Sequence, residues 1–327
     1  MHSPPLVSSI IDAIGGTPLV ELQRTARLLE LDGRLLAKCE YLNPGFSKKD
    51  RIALEILREA KETGELQPGQ TVVELTSGNT GTGLAIACRA LGHPFVAVIS
   101  KGNTVERARM MQALGAEVEL VAQAPGSPPH QVSGGDLALV EERTVELVRE
   151  RGAFRADQFH HRGNILAHER HTGPEIWKQS KGQVEVFVDF VGTAGSFTGV
   201  MRYLRQQNPN IRGYLIEPAS AAVLAGQPVT HSSHSIQGGG YSMSSLPLLD
   251  ASLVDGYLQV SDEQAVDGAR LLAREEGIFG GFSAGANLCG AMQLLRGEQA
   301  GKAIALLVCD SGLKYLSTDL YPWQEPG

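Results

Sequence analysis

Short runs of β-branched and apolar residues alternate along the chain with stretches whose apolar positions recur every three or four residues. Leu35–Cys39, Thr71–Leu75, Pro94–Ser100 and Glu117–Val121 read as strands. Lys48–Thr63, Asn79–Leu91, Thr104–Leu114 and Leu137–Arg151 read as the helices between and after them. The second half repeats the rhythm, with strands at Val184–Val191, Arg212–Ile216 and Ala303–Cys309 and helices at Gly195–Gln207, Asp262–Glu276 and Ala284–Leu295. Strands apolar on both faces and separated by helices predict parallel sheets covered on both sides, an α/β fold. Gln123–Gly135 and Gln227–Ser245 carry too much Pro, Gly and Ser for regular elements and read as surface loops.

A length of 327 residues predicts two domains of roughly 150 residues each. The 29 basic and 36 acidic residues leave a net charge of −7 with no basic block, which argues against nucleic acid or an anionic membrane as partner. No apolar run approaches the ~20 residues of a membrane span, and MHSPPLVSS lacks the basic start and apolar core of a signal peptide. Cys39, Cys88, Cys289 and Cys309 form no C-x-x-C pair, and three of them lie in apolar runs. Buried free thiols and a reducing, cytoplasmic setting are the expectation.

Three glycine-rich segments each follow a strand and open a helix: TSGNTG (Thr76–Gly81), GTAGSFTG (Gly192–Gly199) and GGFSAG (Gly280–Gly285). Glycine lets the backbone approach a ligand, and a helix start offers N–H groups to an anion. One such turn is explained by sterics alone; three across both halves point to a ligand. The spacing matches neither G-x-G-x-x-G nor G-x-x-x-x-G-K-[ST], which speaks against a dinucleotide or P-loop site. A fourth segment, NPGFSKKDR, starts a helix with Ser47 as candidate cap and two lysines in its first turn, against the helix dipole.

Taken together, IGGTPLVEL (Ile14–Leu22), NPGFSKKDR, TSGNTG, QF (Gln158–Phe159), TGPEIW (Thr172–Trp177), GTAGSFTG, IQGGG (Ile236–Gly240), GFSAGA (Gly281–Ala286) and DSGLKYLST (Asp310–Thr318) resemble the cysteine synthase/cystathionine β-synthase family of pyridoxal-phosphate enzymes, fold type II. The segments run in family order over almost the whole chain. The resemblance implies two α/β domains, each a mainly parallel twisted sheet covered by helices, with pyridoxal 5'-phosphate in the cleft between them. A smaller N-terminal domain over residues 46–152 would carry the substrate-carboxylate loop. A larger domain, 13–45 with 153–327, would bind the cofactor.

Residue by residue, the resemblance assigns the Schiff-base lysine to Lys49, directly before Asp50-Arg51, and leaves Lys48 at the surface. It assigns the phosphate cup to Gly192, Thr193, Ala194, Gly195 and Ser196. Ala194 stands where glycine is usual and would be strained at positive φ. The loop Thr76, Ser77, Gly78 and Thr80, with Gln158, is assigned to the substrate carboxylate, Asn79 to the ring hydroxyl and Ser283 to the pyridine nitrogen. A neutral hydroxyl at that nitrogen makes a weaker electron sink than a carboxylate, which favours loss of a group from Cβ over transamination. The implied activity is β-replacement on a serine-type amino acid such as O-acetyl-L-serine, through an aminoacrylate, with a nucleophilic second substrate. A β-eliminating lyase releasing ammonia and a 2-oxo acid is the alternative; a non-catalytic scaffold is more remote, having no need for Lys49, Asn79, Ser283 and the cup together. A homodimer is also implied, with no regulatory domain expected after Gly327 and no haem-binding extension before Ile14.

The chain departs from the family at His160, His161 and Arg162 after the QF pair, at Tyr241, at Asn103–Thr104 and at Phe46. Sulfide is therefore not assumed as the nucleophile. His168 and His171, three apart on an expected helix, have a spacing that allows a shared face, but His168 matches a family histidine just before TGPEIW, and the resemblance implies a structural role for it. No carboxylate or cysteine pattern completes a metal site with them, and no metal is expected.

Overall fold

A computed structural model describes residues 6–76, 78–103, 105–127, 134–231 and 234–323. In chain order the regular elements begin with β1 (Leu19–Glu21), α1 (Gln23–Leu28), β2 (Arg34–Lys38), α2 (Lys49–Thr63), β3 (Val72–Leu75), α3 (Asn79–Leu91) and β4 (Phe95–Ser100). They continue with α4 (Val105–Ala113), β5 (Glu117–Val121), α5 (Gly134–Arg151), β6 (Phe154–Arg155), α6 (Gly163–Ala167) and α7 (Gly173–Gln179). The last are β7 (Val186–Phe190), α8 (Gly195–Gln207), β8 (Arg212–Pro218), β9 (Gly256–Val260), α9 (Asp262–Glu276), α10 (Phe282–Leu295) and β10 (Ala303–Leu307).

These elements form two compact units. The first comprises the chain up to Gly16 with Asn43–Gly163, and the second comprises Thr17–Leu42 with Asn164 onward. The first unit holds a four-stranded sheet in the order β5-β4-β3-β6, parallel throughout. Val73, Val96 and Val98 meet Val140 and Leu147 of α5 in its core. Gly64 and Gly92 end α2 and α3 in the left-handed conformation that a helix stop favours.

The second unit holds a six-stranded sheet, β1-β2-β10-β7-β8-β9, in which only the β1/β2 edge pair is antiparallel. Side-chain alternation splits its central strands between two cores. Val186, Val188, Ile304 and Leu306 join Leu288 and Ala291 of α10 in one, while Phe187, Ala305 and Leu307 join Phe197, Val200 and Leu204 of α8 in the other. Burial on both faces is what makes these strands read as continuous apolar runs. The antiparallel edge was not expected; its three half-buried residues are too few for a periodic signal.

All four cysteines are buried and free. Burial pushes the thiol of Cys39 up to about 12 and that of Cys289 up to about 11. No helix among the described residues is long and apolar enough to cross a membrane. Nor do three or more His, Cys, Asp or Glu side chains among them form a metal-holding group.

Candidate active site

In the first unit the NPGFSKKDR segment makes a tight turn into α2. Gly45 N–H donates to the Asp50 carboxylate, Phe46 takes φ +62°, and Ser47 Oγ accepts the Lys49 N–H at 3.2 Å. The cap position is Lys48 and the first helical residue Lys49, each one residue later than expected, so Ser47 serves the helix start only through its bond to the Lys49 N–H. Lys48 is not at the surface: it is only 9% exposed, whereas Lys49 is half-buried. The reason is the environment of α2, whose residues Asp50 to Leu57 are all buried, so no solvent face is available at its start. Gly83 of α3 brings the Lys49 backbone against that helix, since a Cβ there would stand 2.9 Å from the Lys49 carbonyl oxygen.

The TSGNTG loop leads from β3 into α3. Gly78 takes φ +133° and ψ −53°, a conformation open only to glycine, and contributes no side-chain cap to α3. Thr76 Oγ1 instead accepts the N–H groups of Gly78 at 3.0 Å and Gly81 at 2.9 Å, so its own proton is the donor it can offer a ligand. Thr80 Oγ1 donates to Gln158 Oε1 over 2.7 Å, which turns the Gln158 NH2 away from Thr80. Asn79 is the first residue of α3. The expected contact Ser77 and the departure Thr104 lie outside the described residues. Thr76, Gly78, Asn79, Thr80, Gln158 and the start of α2 at Lys49 are thus held by the elements of this one unit.

Gln158 is positioned by a turn that also holds the unusual histidines. Asp157, at φ +41°, is in left-handed territory for a non-glycine. Its N–H donates to Glu74 Oε2 at 2.7 Å, and the Gln158 N–H to Glu74 Oε1 at 3.4 Å. His160 is exposed and bonds Asp157 Oδ1 at 2.9 Å. His161 Nδ1 accepts the Gly163 N–H at 3.0 Å, its ring stands edge-on to Phe154, and burial lowers its pKa.

In the second unit β7 delivers the chain into GTAGSFTG at the start of α8. Ala194 takes φ +63°, realising the strain expected of alanine at that place, and leaves α8 without a side-chain cap. A Cβ on Gly192 would meet the Gly238 carbonyl at 2.9 Å, and one on Gly195 would overlap the Asn164 amide. Asn164 Nδ2 donates to Thr193 Oγ1 over 2.9 Å, and Ser196 Oγ donates to the Asp189 carboxylate. The Ser196 proton is therefore committed to Asp189, while Thr193 accepts and keeps its own. Asn287, one turn beyond Ser283 on α10, accepts the Phe190 N–H at 2.6 Å and docks that helix start beside the end of β7. Ser283 itself is 8% exposed.

The donor set fits a phosphate. The first-turn N–H groups of a 13-residue helix face no capping side chain, a hydroxyl stands beside them, and two glycines leave space that a Cβ would fill. Residues 10–310 match the family described as pyridoxal-phosphate dependent enzyme. The chain belongs to that family. As a pyridoxal-phosphate dependent enzyme it is 42% identical over 313 residues to cysteine synthase 3 of Caenorhabditis elegans, covering 95% of this chain and 88% of the relative. It is 38% identical over 325 residues to O-ureido-L-serine synthase of Streptomyces lavendulae, covering 99% and 95%. Its fold matches the crystal structure of O-acetyl serine sulfhydrylase isoform 3 from Entamoeba histolytica with TM-score 0.89 and 33% identity, covering 100% of this chain and 96% of that one. The fold is type II, the cofactor is pyridoxal phosphate, and the enzyme acts at Cβ of an amino acid.

Four residues of this pyridoxal-phosphate dependent enzyme were not anticipated: Glu74, Asn164, Asp189 and Asn287. Glu74 and Asp189 carry a readable signal, a carboxylate in the middle of an apolar strand, where an unserved charge is costly. Residues 168–172 form a π-helical turn in which His168 is buried and bonded to Thr172, as a structural role requires, while His171 is exposed, so the two share no face. The wider turn changes the angular step that a three-residue spacing assumes.

Proposed function

We propose that this enzyme catalyses β-replacement on an L-serine-type amino acid such as O-acetyl-L-serine, with a nucleophile as second substrate. The observation that carries the reading is the joint placement in one unit of the α2 start at Lys49, whose backbone packs against Gly83 of α3, and of Thr76, Thr80 and Gln158 around the start of that same helix. The relatives named cysteine synthase and O-ureido-L-serine synthase support it.

Pyridoxal phosphate supplies an aldehyde that bonds an amino group and a ring that draws electron density from Cα. Lys49 would hold it through its side-chain amine, and the same Nζ would serve as the base that takes up the proton from substrate Cα. The Thr76 hydroxyl, the Gln158 amide and the N–H groups at the α3 start bind the substrate carboxylate, with Ser77 and Gly78 in the same loop. Asn79 donates to the ring hydroxyl. Gly192, Thr193, Ala194, Gly195 and Ser196 hold the phosphate at the α8 start, with Thr193 rather than Ser196 as the hydroxyl donor. Ser283, at the start of α10, would be the neutral partner of the ring nitrogen, a pairing that would favour loss of a Cβ substituent over transamination. In this reading residues 46–152 act as the smaller substrate domain, and 13–45 with 153–327 as the cofactor domain.

The four buried thiols support a reducing, cytoplasmic location, and the family resemblance supports a homodimer. Mixing the purified holoenzyme with O-acetyl-L-serine, without a nucleophile, and following the visible spectrum tests the activity. A new visible band that persists until a nucleophile is added is the expected result. Rapid return to the starting spectrum with release of pyruvate and ammonia would make the enzyme a lyase instead.

A further inference from the structure

We propose that Glu74 is a positioning residue of the amino-acid site: its ionised carboxylate, by accepting the N–H groups of Asp157 and Gln158, holds Gln158 in register with Thr80. The inference rests on the reading of Gln158 as a substrate-carboxylate contact. Glu74 lies on β3, two residues before Thr76, and is fully buried. Each of its oxygens accepts one backbone N–H, from Asp157 at 2.7 Å and from Gln158 at 3.4 Å. An ionised carboxylate serves both donors with full strength, whereas a neutral carboxyl carries a proton on one oxygen, which makes that oxygen a donor and a poorer acceptor for the N–H that faces it. The N–H served by Oε2 belongs to Asp157, whose left-handed backbone requires such restraint to persist. Through that turn the Gln158 side chain reaches Thr80 at 2.7 Å.

The charged groups around Glu74 do not neutralise it. Arg155 on β6 exerts an attractive field, but its guanidinium is held by a two-pronged pair with Glu141 of α5, at 2.6 and 2.7 Å. Asp157 adds a repulsive field and is itself bonded to His160. No cation lies within ion-pair distance of Glu74 among the described residues. Burial therefore pushes its carboxyl up to about 8, against the weaker pull of Arg155 and the two N–H groups. The ionised, fully clamped state is then gained as pH rises through that value, and the fraction of enzyme competent to bind rises with it.

The test uses holoenzyme of the wild type, E74Q and Q158A. The Kd of L-alanine, which carries no leaving group, is measured by calorimetry from about pH 6.5 to about pH 9.5, with KM and kcat for O-acetyl-L-serine alongside. The ligand's own amine titrates in all three proteins, so the Glu74 step is read as the difference from E74Q. The wild type is expected to gain about tenfold in affinity across a step near pH 8, and E74Q to lack the step, with KM raised about tenfold and kcat changed less than about twofold. A wild-type KM and an intact step in E74Q would overturn the proposal. If E74Q does not fold, the wild-type profile decides alone: affinity that follows only the ligand's amine titration overturns it. Wild-type affinity in Q158A removes the carboxylate role of Gln158, whereas weak binding in Q158A with wild-type behaviour in E74Q removes Glu74 alone.

Discussion

Asn164 donates its side-chain amide to Thr193 Oγ1 over 2.9 Å, and the same amide occupies the place where a side chain on Gly195 would begin. One residue thus aims a hydroxyl and forbids a Cβ at the start of α8. Gly195→Ala is expected to force Asn164 aside and misalign Thr193, an overpacking that costs about 1–3 kcal/mol in a tight site. The measurement is the dissociation constant for pyridoxal phosphate by equilibrium dialysis, with thermal melting of the apo form. Wild-type affinity in this variant would show that the cradle is not shaped as described.

The neighbouring Ala194 calls for the opposite change. It takes φ +63° and ψ −2°, a conformation that costs an L-residue roughly 1 kcal/mol or more and costs glycine little. Ala194→Gly is therefore expected to stabilise the protein by about 0.5–1 kcal/mol, the relief of strain exceeding the added flexibility of the unfolded chain. Denaturant unfolding of the two apoproteins checks this. A loss of stability would mean that the Ala194 methyl, which joins the α8-side core, packs better than its strain hurts.

The same strand-to-helix turn shows what was legible in the sequence. VFVDFV reads as a doubly buried strand because Val186 and Val188 enter one core while Phe187 enters the other, and the glycines after it mark the turn. Helices α3, α8 and α9 likewise begin and end where their apolar periodicity does. Strand β9 escaped notice because Tyr257 and Gln259 of this edge strand are exposed, so GYLQV carries no apolar run. The helix expected around His168 is broken between α6 and α7 by a π-helical turn, which the three-residue spacing did not reveal. In the site, the glycine loops and Lys49 were visible as motifs, but the supports were not. Glu74 and Asn164 act through partners 83 and 29 residues away, which no local spacing encodes, and the carboxylates of Glu74 and Asp189 inside apolar strands mark a burial without naming the group served.

Lys48 and Lys49 are the sharpest case, since both are held at the start of α2 and differ in surroundings. Lys49→Ala is expected to abolish turnover and to leave pyridoxal phosphate removable by dialysis. Lys48→Ala is expected to keep the cofactor covalently bound and to lose stability instead, because its buried stem packs beside α2. Borohydride reduction followed by peptide mapping distinguishes the two. A labelled Lys48 would reverse the assignment.

Glu74 also imposes a direction on stability that can be measured without substrate. Its folded pKa, raised to about 8 by burial, lies above the ordinary value of 4.5 that it regains on unfolding. Between these values the folded protein holds a proton that the unfolded chain releases, so this carboxyl makes stability fall as pH rises, until the loss is complete above about 8. Glu74→Gln cannot titrate and removes the slope, so the variant is expected to gain on the wild type with each step toward alkaline pH. Denaturant midpoints of both proteins at several pH values from mildly acidic to mildly alkaline give the comparison. Parallel curves would mean that Glu74 is ionised throughout the folded state, and that the field of Arg155 outweighs its burial.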